Sequence, residues 1–80
     1  MTGRTDYQPI SCANYDQYET AILQGRRLHL AWQADNVFYD QVVTPLGLRT
    51  AQGEEYLIMR LADGEIREVR LDHLRQHQPV

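Results

Sequence analysis

Residues 7–19 read Tyr-Gln-Pro-Ile-Ser-Cys-Ala-Asn-Tyr-Asp-Gln-Tyr-Glu, and this segment predicts where the helical part of the chain begins. Asn14 is a favourable N-cap residue, and Gln17, three residues later, completes a pattern that resembles a capping box. Gly25 is typical of the position that follows the last helical residue. We therefore predict a helix over residues 15–24.

The predicted helix has two sectors, because successive residues are rotated by about 100° around its axis. One sector is apolar and is expected to pack on the rest of the protein: Tyr18, Ala21 and Ile22. The other sector should face solvent or a partner, and it contains Tyr15, Asp16 and Glu19. In the first turns the helix dipole favours anions, so the two acids either cap the helix or form a partner-binding patch with Tyr15 as its aromatic contact.

The chain after Gly25 has the patterns of short β-strands. Leu28, Leu30 and Trp32 alternate along the first of them and should point into the core, where the Trp32 indole needs a hydrogen-bond partner. We predict four strands, over residues 27–33, 37–43, 55–61 and 65–71.

Turn residues separate these strands. Asp63-Gly64 is a strong hairpin signal. Pro45 and Gly47 are residues that interrupt strands, so we predict that residues 44–53 form a loop.

The length of 80 residues indicates a single domain over residues 1–80, of which residues 1–6 are predicted to be disordered. Residues 72–75 add a short fifth strand or a helical turn. The predicted fold class is mainly β (α+β), with an N-terminal helix on a small, strongly bent antiparallel β-barrel of about five strands. Closure into a barrel would hide the strand edges that an open sheet exposes.

The chain has a net charge of −3. An acidic domain without a long basic stripe repels phosphate backbones, so the charge disfavours direct binding of nucleic acid and favours a basic protein partner. Cys12 is the one cysteine, which excludes an internal disulfide and fits a reducing cytosol. With no recognisable signal peptide or membrane span, we predict a cytoplasmic protein that is a monomer when free.

Three sets of residues are candidates for chemistry, and each has a simpler interpretation. His73 and His77 have the i, i+4 spacing of a helical metal site, but no third ligand is apparent nearby. Cys12 has no His or Asp at a diagnostic spacing and is interpreted as a small buried residue at the start of the helix. Asp16 and Glu19 would be too exposed for burial to separate their pKa values, as an acid–base pair requires. We predict no enzymatic activity, no cofactor and no metal.

Two motifs of the chain resemble the Rho-binding antiterminator (Rof) family of bacteria. The first is Tyr7-Gln8-Pro9-Ile10-x-Cys12-x-x-Tyr15-Asp16-x-x-Glu19. The second is Glu55-Tyr56-Leu57 followed by Gly64-Glu65-x-Arg67-Glu68-x-Arg70-Leu71-Asp72. The resemblance covers residues 7–77 and implies an N-terminal helix on an Sm-like β-barrel.

The resemblance also implies a function and a binding site. Proteins of this family bind the transcription termination factor Rho, a ring-shaped RNA-dependent helicase, at its N-terminal RNA-binding domain. They prevent RNA from loading and so inhibit termination. Carried over position by position, the resemblance assigns the main contact to Tyr15, Asp16 and Glu19. The loop before the third strand also contacts Rho in the family; this chain does not reproduce the family's more basic loop, and we name Arg49 and Gln52 as the residues that substitute there.

Two hypotheses from other classes compete with this one. The chain could be an Sm-like module that binds single-stranded RNA with Arg26 and Arg27 and stacks bases on exposed aromatic residues such as Tyr39. It could instead be a small enzyme or metal protein built on His73 and His77.

Overall fold

An α-helix precedes the strands in the computed structural model, which describes residues 8–79 and the side chains of residues 8–75. The elements are α1 (Cys12–Gln24), β1 (Leu28–Ala34), β2 (Val37–Ala51), β3 (Glu54–Arg60), β4 (Ile66–Arg70), a 3-10 turn (Leu71–His73) and β5 (Arg75–Pro79). No helix in this part of the chain combines the length and the apolar character needed to cross a membrane. The predicted disorder of residues 1–6 falls outside the described residues.

The helix begins earlier than predicted, because Ser11 and not Asn14 is its N-cap. Ser11 has an extended backbone, with φ −65° and ψ 154°, and its side-chain oxygen accepts a hydrogen bond of 3.2 Å from the backbone N–H of Asn14. Cys12 is therefore the first helical residue and is exposed, so the prediction of a buried Cys12 is wrong. The first turn contains no acidic residue, which places Asp16 and Glu19 further along the helix.

The helix ends at Gln24 and is capped by Gly25, as predicted. Gly25 has a left-handed backbone, with φ 65° and ψ 28°. Its N–H donates to the carbonyl of Ile22 at 3.4 Å, and the N–H of Arg26 donates to the carbonyl of Ala21 at 2.9 Å, which is the Schellman arrangement. Tyr18 and Ala21 are buried and Ile22 packs against the core, so the predicted apolar sector is confirmed. Burial raises the pKa of Tyr18 to about 12, and the phenol is neutral at physiological pH.

The prediction of a loop over residues 44–53 is wrong, because β2 continues through this segment as far as Ala51. Its pairing with β3 shifts register between Pro45 and Gly47, which marks a bulge. A bulge tolerates proline, since the missing N–H is not required by the strand ladder there. The actual turn is Gln52-Gly53, where both residues have positive φ, 54° and 78°, as a two-residue hairpin requires.

The sheet has four strands in the order β4-β3-β2-β1, and the short segment β5 pairs with the free edge of β1 with a shift in register. All the pairs are antiparallel, so the predicted N-terminal helix and mainly β, antiparallel α+β fold are confirmed. Closure is not found in the described part of the chain, because β4 and β5 lie at opposite edges and no pairing joins them. The prediction of a closed barrel of about five strands is therefore not supported.

The core joins α1 to one face of the sheet. Leu28, Leu30 and Trp32 of β1 are buried, as their alternation predicts. The whole buried cluster consists of Tyr18, Ala21, Leu28, Leu30, Trp32, Val43, Leu57, Met59, Leu61, Val69, Leu71 and Leu74. The side of α1 that is turned away from this cluster is therefore available for binding.

The assignment of the N-cap is testable by two substitutions in the same turn. Ser11→Ala removes the capping oxygen and should lower the free energy of unfolding by about 1 kcal/mol. Asn14→Ala keeps the backbone N–H and introduces a stronger helix former, so stability should be unchanged or slightly higher. Urea unfolding followed by circular dichroism measures both effects. A larger loss in Asn14→Ala than in Ser11→Ala would contradict the assignment.

Candidate protein-binding surface

Two carboxylates on α1 are exposed and have no partner within the described residues. Asp16 and Glu19 lie beyond the first helical turn, and neither forms an ion pair or hydrogen bond with residues 8–75. The effect of the helix dipole fades within the first turn. Capping therefore does not account for the two acids, and both carboxylates lie on the exposed side of α1.

Tyr15 lies between these acids and the core. Its ring is half-buried and packs against the buried cluster, whereas the sequence interpretation treats Tyr15 as exposed. The pKa of Tyr15 is raised mainly by burial, and the negative charges of Glu55 and Glu19 raise it further. One face of the ring is thus fixed by the fold, and its hydroxyl lies in an acidic environment.

Glu55 is a member of this surface that the sequence analysis missed. It lines a shallow groove of about 250 Å³ together with Tyr15 and Asp16. The signal is present in the strand alternation: Glu55 lies two residues before Leu57, on the face of β3 that carries the core residues. We name Tyr15, Asp16, Glu19 and Glu55 the acidic patch.

Arg49 is engaged elsewhere in the protein. Its guanidinium donates to Glu68 through Nε at 2.5 Å and through Nη2 at 2.8 Å, and its Cζ lies 4.8 Å from the centre of the Tyr56 ring. The hydrogen bonds from Arg49 lower the pKa of Glu68. Because Leu48 packs into the core beside α1, the next residue, Arg49, lies on the opposite face of the sheet.

The predicted site residues are therefore only partly brought together. The structure places Tyr15, Asp16 and Glu19 on one surface and separates Arg49 from them by the sheet. Gln52 is exposed at the tip of the β2–β3 hairpin, three residues before Glu55. Gln52 is thus closer in sequence to the acidic patch than Arg49 is.

A second set of charges stabilises the sheet. Arg70 donates to Asp72 at 2.9 and 2.6 Å and to Glu54 at 3.4 Å, and its side chain is only 14% exposed. Asp72 also accepts a hydrogen bond of 3.1 Å from the backbone N–H of Gln8. The hydrogen bonds from Arg70 are the main reason why the pKa of Asp72 is lowered. These charges, unlike those of Asp16 and Glu19, are used within the fold.

The geometry does not favour the metal alternative. His73 lies in a 3-10 turn and His77 lies in the following strand, so the helical i, i+4 spacing does not form. Within the described residues no group of three or more His, Cys, Asp or Glu side chains is placed to hold a metal ion.

The structure bears on Tyr39, the aromatic residue named for the RNA alternative. The Tyr39 ring stacks on Trp32, with 5.1 Å between ring centres and 9° between planes. The guanidinium carbon of Arg67 lies 4.9 Å from the centre of the same ring. Tyr39 is therefore committed to contacts within the protein. Trp32 is buried, and its Nε1 has no hydrogen-bond partner among the described residues.

Comparisons with family models and with curated proteins find no match to this chain. The features of the candidate site are two exposed carboxylates on α1, a half-buried tyrosine and a third carboxylate from β3.

The contrast between the two sets of charges predicts different effects on stability. Asp16→Asn and Glu19→Gln should change the free energy of unfolding by no more than about 0.5 kcal/mol, because these exposed side chains have no partner among the described residues. Asp72→Asn should lower it by about 2 kcal/mol at pH 7, because its hydrogen bonds with Arg70 involve two charged groups.

The pH dependence gives a further check on Asp72. Its pKa is lower in the folded state than in the unfolded chain, so its stabilising effect is complete above the unfolded pKa of about 3.9 and is lost as the pH falls through the folded value. The difference between wild type and Asp72→Asn should therefore shrink below about pH 4. Urea unfolding at a series of pH values measures it, and a difference independent of pH would contradict the assignment.

Proposed function

We propose that the protein binds the transcription termination factor Rho through the acidic patch. The binding site on Rho is its N-terminal RNA-binding domain, and occupation of that domain blocks RNA loading and inhibits Rho-dependent termination. The identity of the partner rests on the family resemblance of the Tyr7–Glu19 motif. The chemistry of the partner, a basic protein surface, is supported independently by the charges of the chain.

The observation that carries the proposal is the exposure of the Asp16 and Glu19 carboxylates and their lack of a partner among the described residues. Neither residue lies in the first helical turn. A surface that binds RNA phosphates is basic, so a protein that competes with RNA for it must offer negative charge. The two carboxylates of α1, without a partner among the described residues and with Glu55 nearby on β3, present that charge on one surface.

The proposed mechanism is occlusion and requires no catalysis. The carboxylates would pair with cations of the Rho RNA site, and the exposed part of Tyr15 would pack between them. Complementary charges of this kind increase the rate of association and fix the orientation more than they increase affinity. The protein would act in the cytoplasm, where Rho acts, as a monomer in the free state.

The proposal includes an Sm-like arrangement of the helix and strands. The helix before the sheet and the bulge that bends β2 near Pro45 support an Sm-like arrangement. Gln52, exposed at the hairpin tip, is proposed as a second contact with Rho. Arg49 would contribute only if its hydrogen bonds with Glu68 were exchanged for contacts with Rho.

The proposal predicts that Asp16→Lys abolishes binding to Rho while the domain stays folded. A lysine at this position places a cation against the basic surface of the partner, and like charges at an interface cost several kcal/mol. The measurement is a pull-down of purified Rho at moderate salt, with circular dichroism as the test of folding.

A matched control is Glu65→Lys, which makes the same change in net charge. Glu65 follows β3 at the end opposite to Glu55, and its exposed pair with Arg67 is a surface salt bridge of small energetic value. Glu65→Lys should retain binding. Undiminished binding of Asp16→Lys would reject the acidic patch as the contact, and binding of pyrimidine-rich RNA instead of Rho would favour the RNA-binding alternative.

The proposed complex should also depend on salt. Exposed charges are screened over about 10 Å at 0.1 M salt and over about 3 Å at 1 M. The dissociation constant for Rho should therefore rise across this range, mainly through slower association, and surface plasmon resonance separates the two rates. An association rate that does not change with salt would contradict a contact made by exposed carboxylates.

A further inference from the structure

A groove adjoins the acidic patch, between α1 and the second half of β2. Its volume is about 520 Å³, within the range of about 300–1,000 Å³ found for ligand sites. Ile22 and Leu48 line it with apolar surface, and Asp16 and Glu19 line it with charge. The groove thus combines an apolar interior with acidic residues along α1.

Two features leave this groove open. Leu23 lines it with a side chain that is 86% exposed, the largest exposed fraction among the large hydrophobic residues of the described chain. Gly47 lies on the β2 side, and no heavy atom comes within 4 Å of the position that a Cβ would occupy there. The protein therefore fills the groove neither from α1 nor from β2.

We propose that the groove receives one apolar side chain of the protein partner, flanked in that partner by lysine or arginine residues that pair with Asp16 and Glu19. The inference rests on the proposed function and adds the chemistry of the bound segment. An apolar centre surrounded by charged groups is the usual anatomy of a protein interface, and a few central contacts provide most of the binding energy.

The acidic residues of the groove indicate the charge of the segment that binds there. A second copy of this chain also has a net charge of −3, so the two copies repel each other at long range. A basic segment with a Leu, Ile, Met or Phe side chain satisfies both the apolar surface of Ile22 and Leu48 and the carboxylates of Asp16 and Glu19. The occupant is therefore a basic protein surface with one protruding apolar residue.

Gly47 allows a direct test, because its φ does not lie in the left-handed region and a side chain at this position meets open space. Gly47→Leu should fill the groove from within and lower the affinity for Rho by at least about tenfold, the change that corresponds to 1.4 kcal/mol. Gly47→Ala is the matched control, since it makes the same change in backbone freedom but leaves most of the groove empty. Its affinity should remain within about threefold of wild type. Isothermal titration calorimetry with purified Rho measures both, and urea unfolding checks that both variants are folded.

A second variant removes the apolar contact from the other side of the groove. Leu23→Ser should also lower the affinity about tenfold, and its exposed position makes loss of folding a minor concern. Its control is Ile66→Ser, a comparable loss from an exposed position on β4. Ile66→Ser should bind Rho as wild type does.

The outcomes separate this inference from the proposed function. If Asp16→Lys abolishes binding but Gly47→Leu and Leu23→Ser bind as wild type, the groove is not used and the proposed function stands. If wild type does not bind Rho, both fail. If sedimentation shows that the wild type self-associates and Gly47→Leu prevents it, the occupant is a second copy and the inference is overturned.

Discussion

β2 is the element on which the other parts of the structure depend, because it belongs to two strand pairs. It pairs with β1 from Val37 to Val43 and with β3 from Thr44 to Ala51. The bulge at Pro45 and Gly47 lies where the second pairing begins, so the strand changes course without ending. Gly47 at this bulge lies beside α1 and lines the groove between α1 and β2. Because Gly47 has no side chain, the groove stays open on this side.

The charges of the protein divide into two groups with different roles. Arg70, Asp72 and Glu54 form a network of low exposure, and Arg49 and Glu68 form a two-point pair on the outer face of the sheet. The network of low exposure stabilises the fold and is costly to break, whereas the exposed Arg49–Glu68 pair contributes less to stability. The two carboxylates of α1 have no such partner among the described residues, so an external cation can bind them without breaking an internal contact. This division supports the proposed contact with a basic partner.

The candidate site was predictable where its signal was local. The helical period places Asp16 and Glu19 away from Tyr18 and Ala21, and the structure places them on that exposed side. The strand alternation places Glu55 on the core-facing side of β3, but its position beside Asp16 depends on the packing of α1 near the β2–β3 hairpin, which no local pattern encodes. The hydrogen bonds between Arg49 and Glu68 could not be predicted from local sequence either, because they join β2 to β4 across β3.

Local chemistry in the chain was sufficient for the end of the helix, the alternation of Leu28, Leu30 and Trp32, and the mainly antiparallel β character, since each depends on neighbouring residues alone. It did not identify Ser11 as the N-cap, because Ser11 and Asn14 both have suitable side chains and lie three residues apart. Whether Pro45 and Gly47 end a strand or bend it depended on β3, which supplies the pairing on the far side of the bulge. The openness of the sheet was likewise a property of the assembled strands, because strand edges meet or stay apart only through contacts between residues distant in the chain.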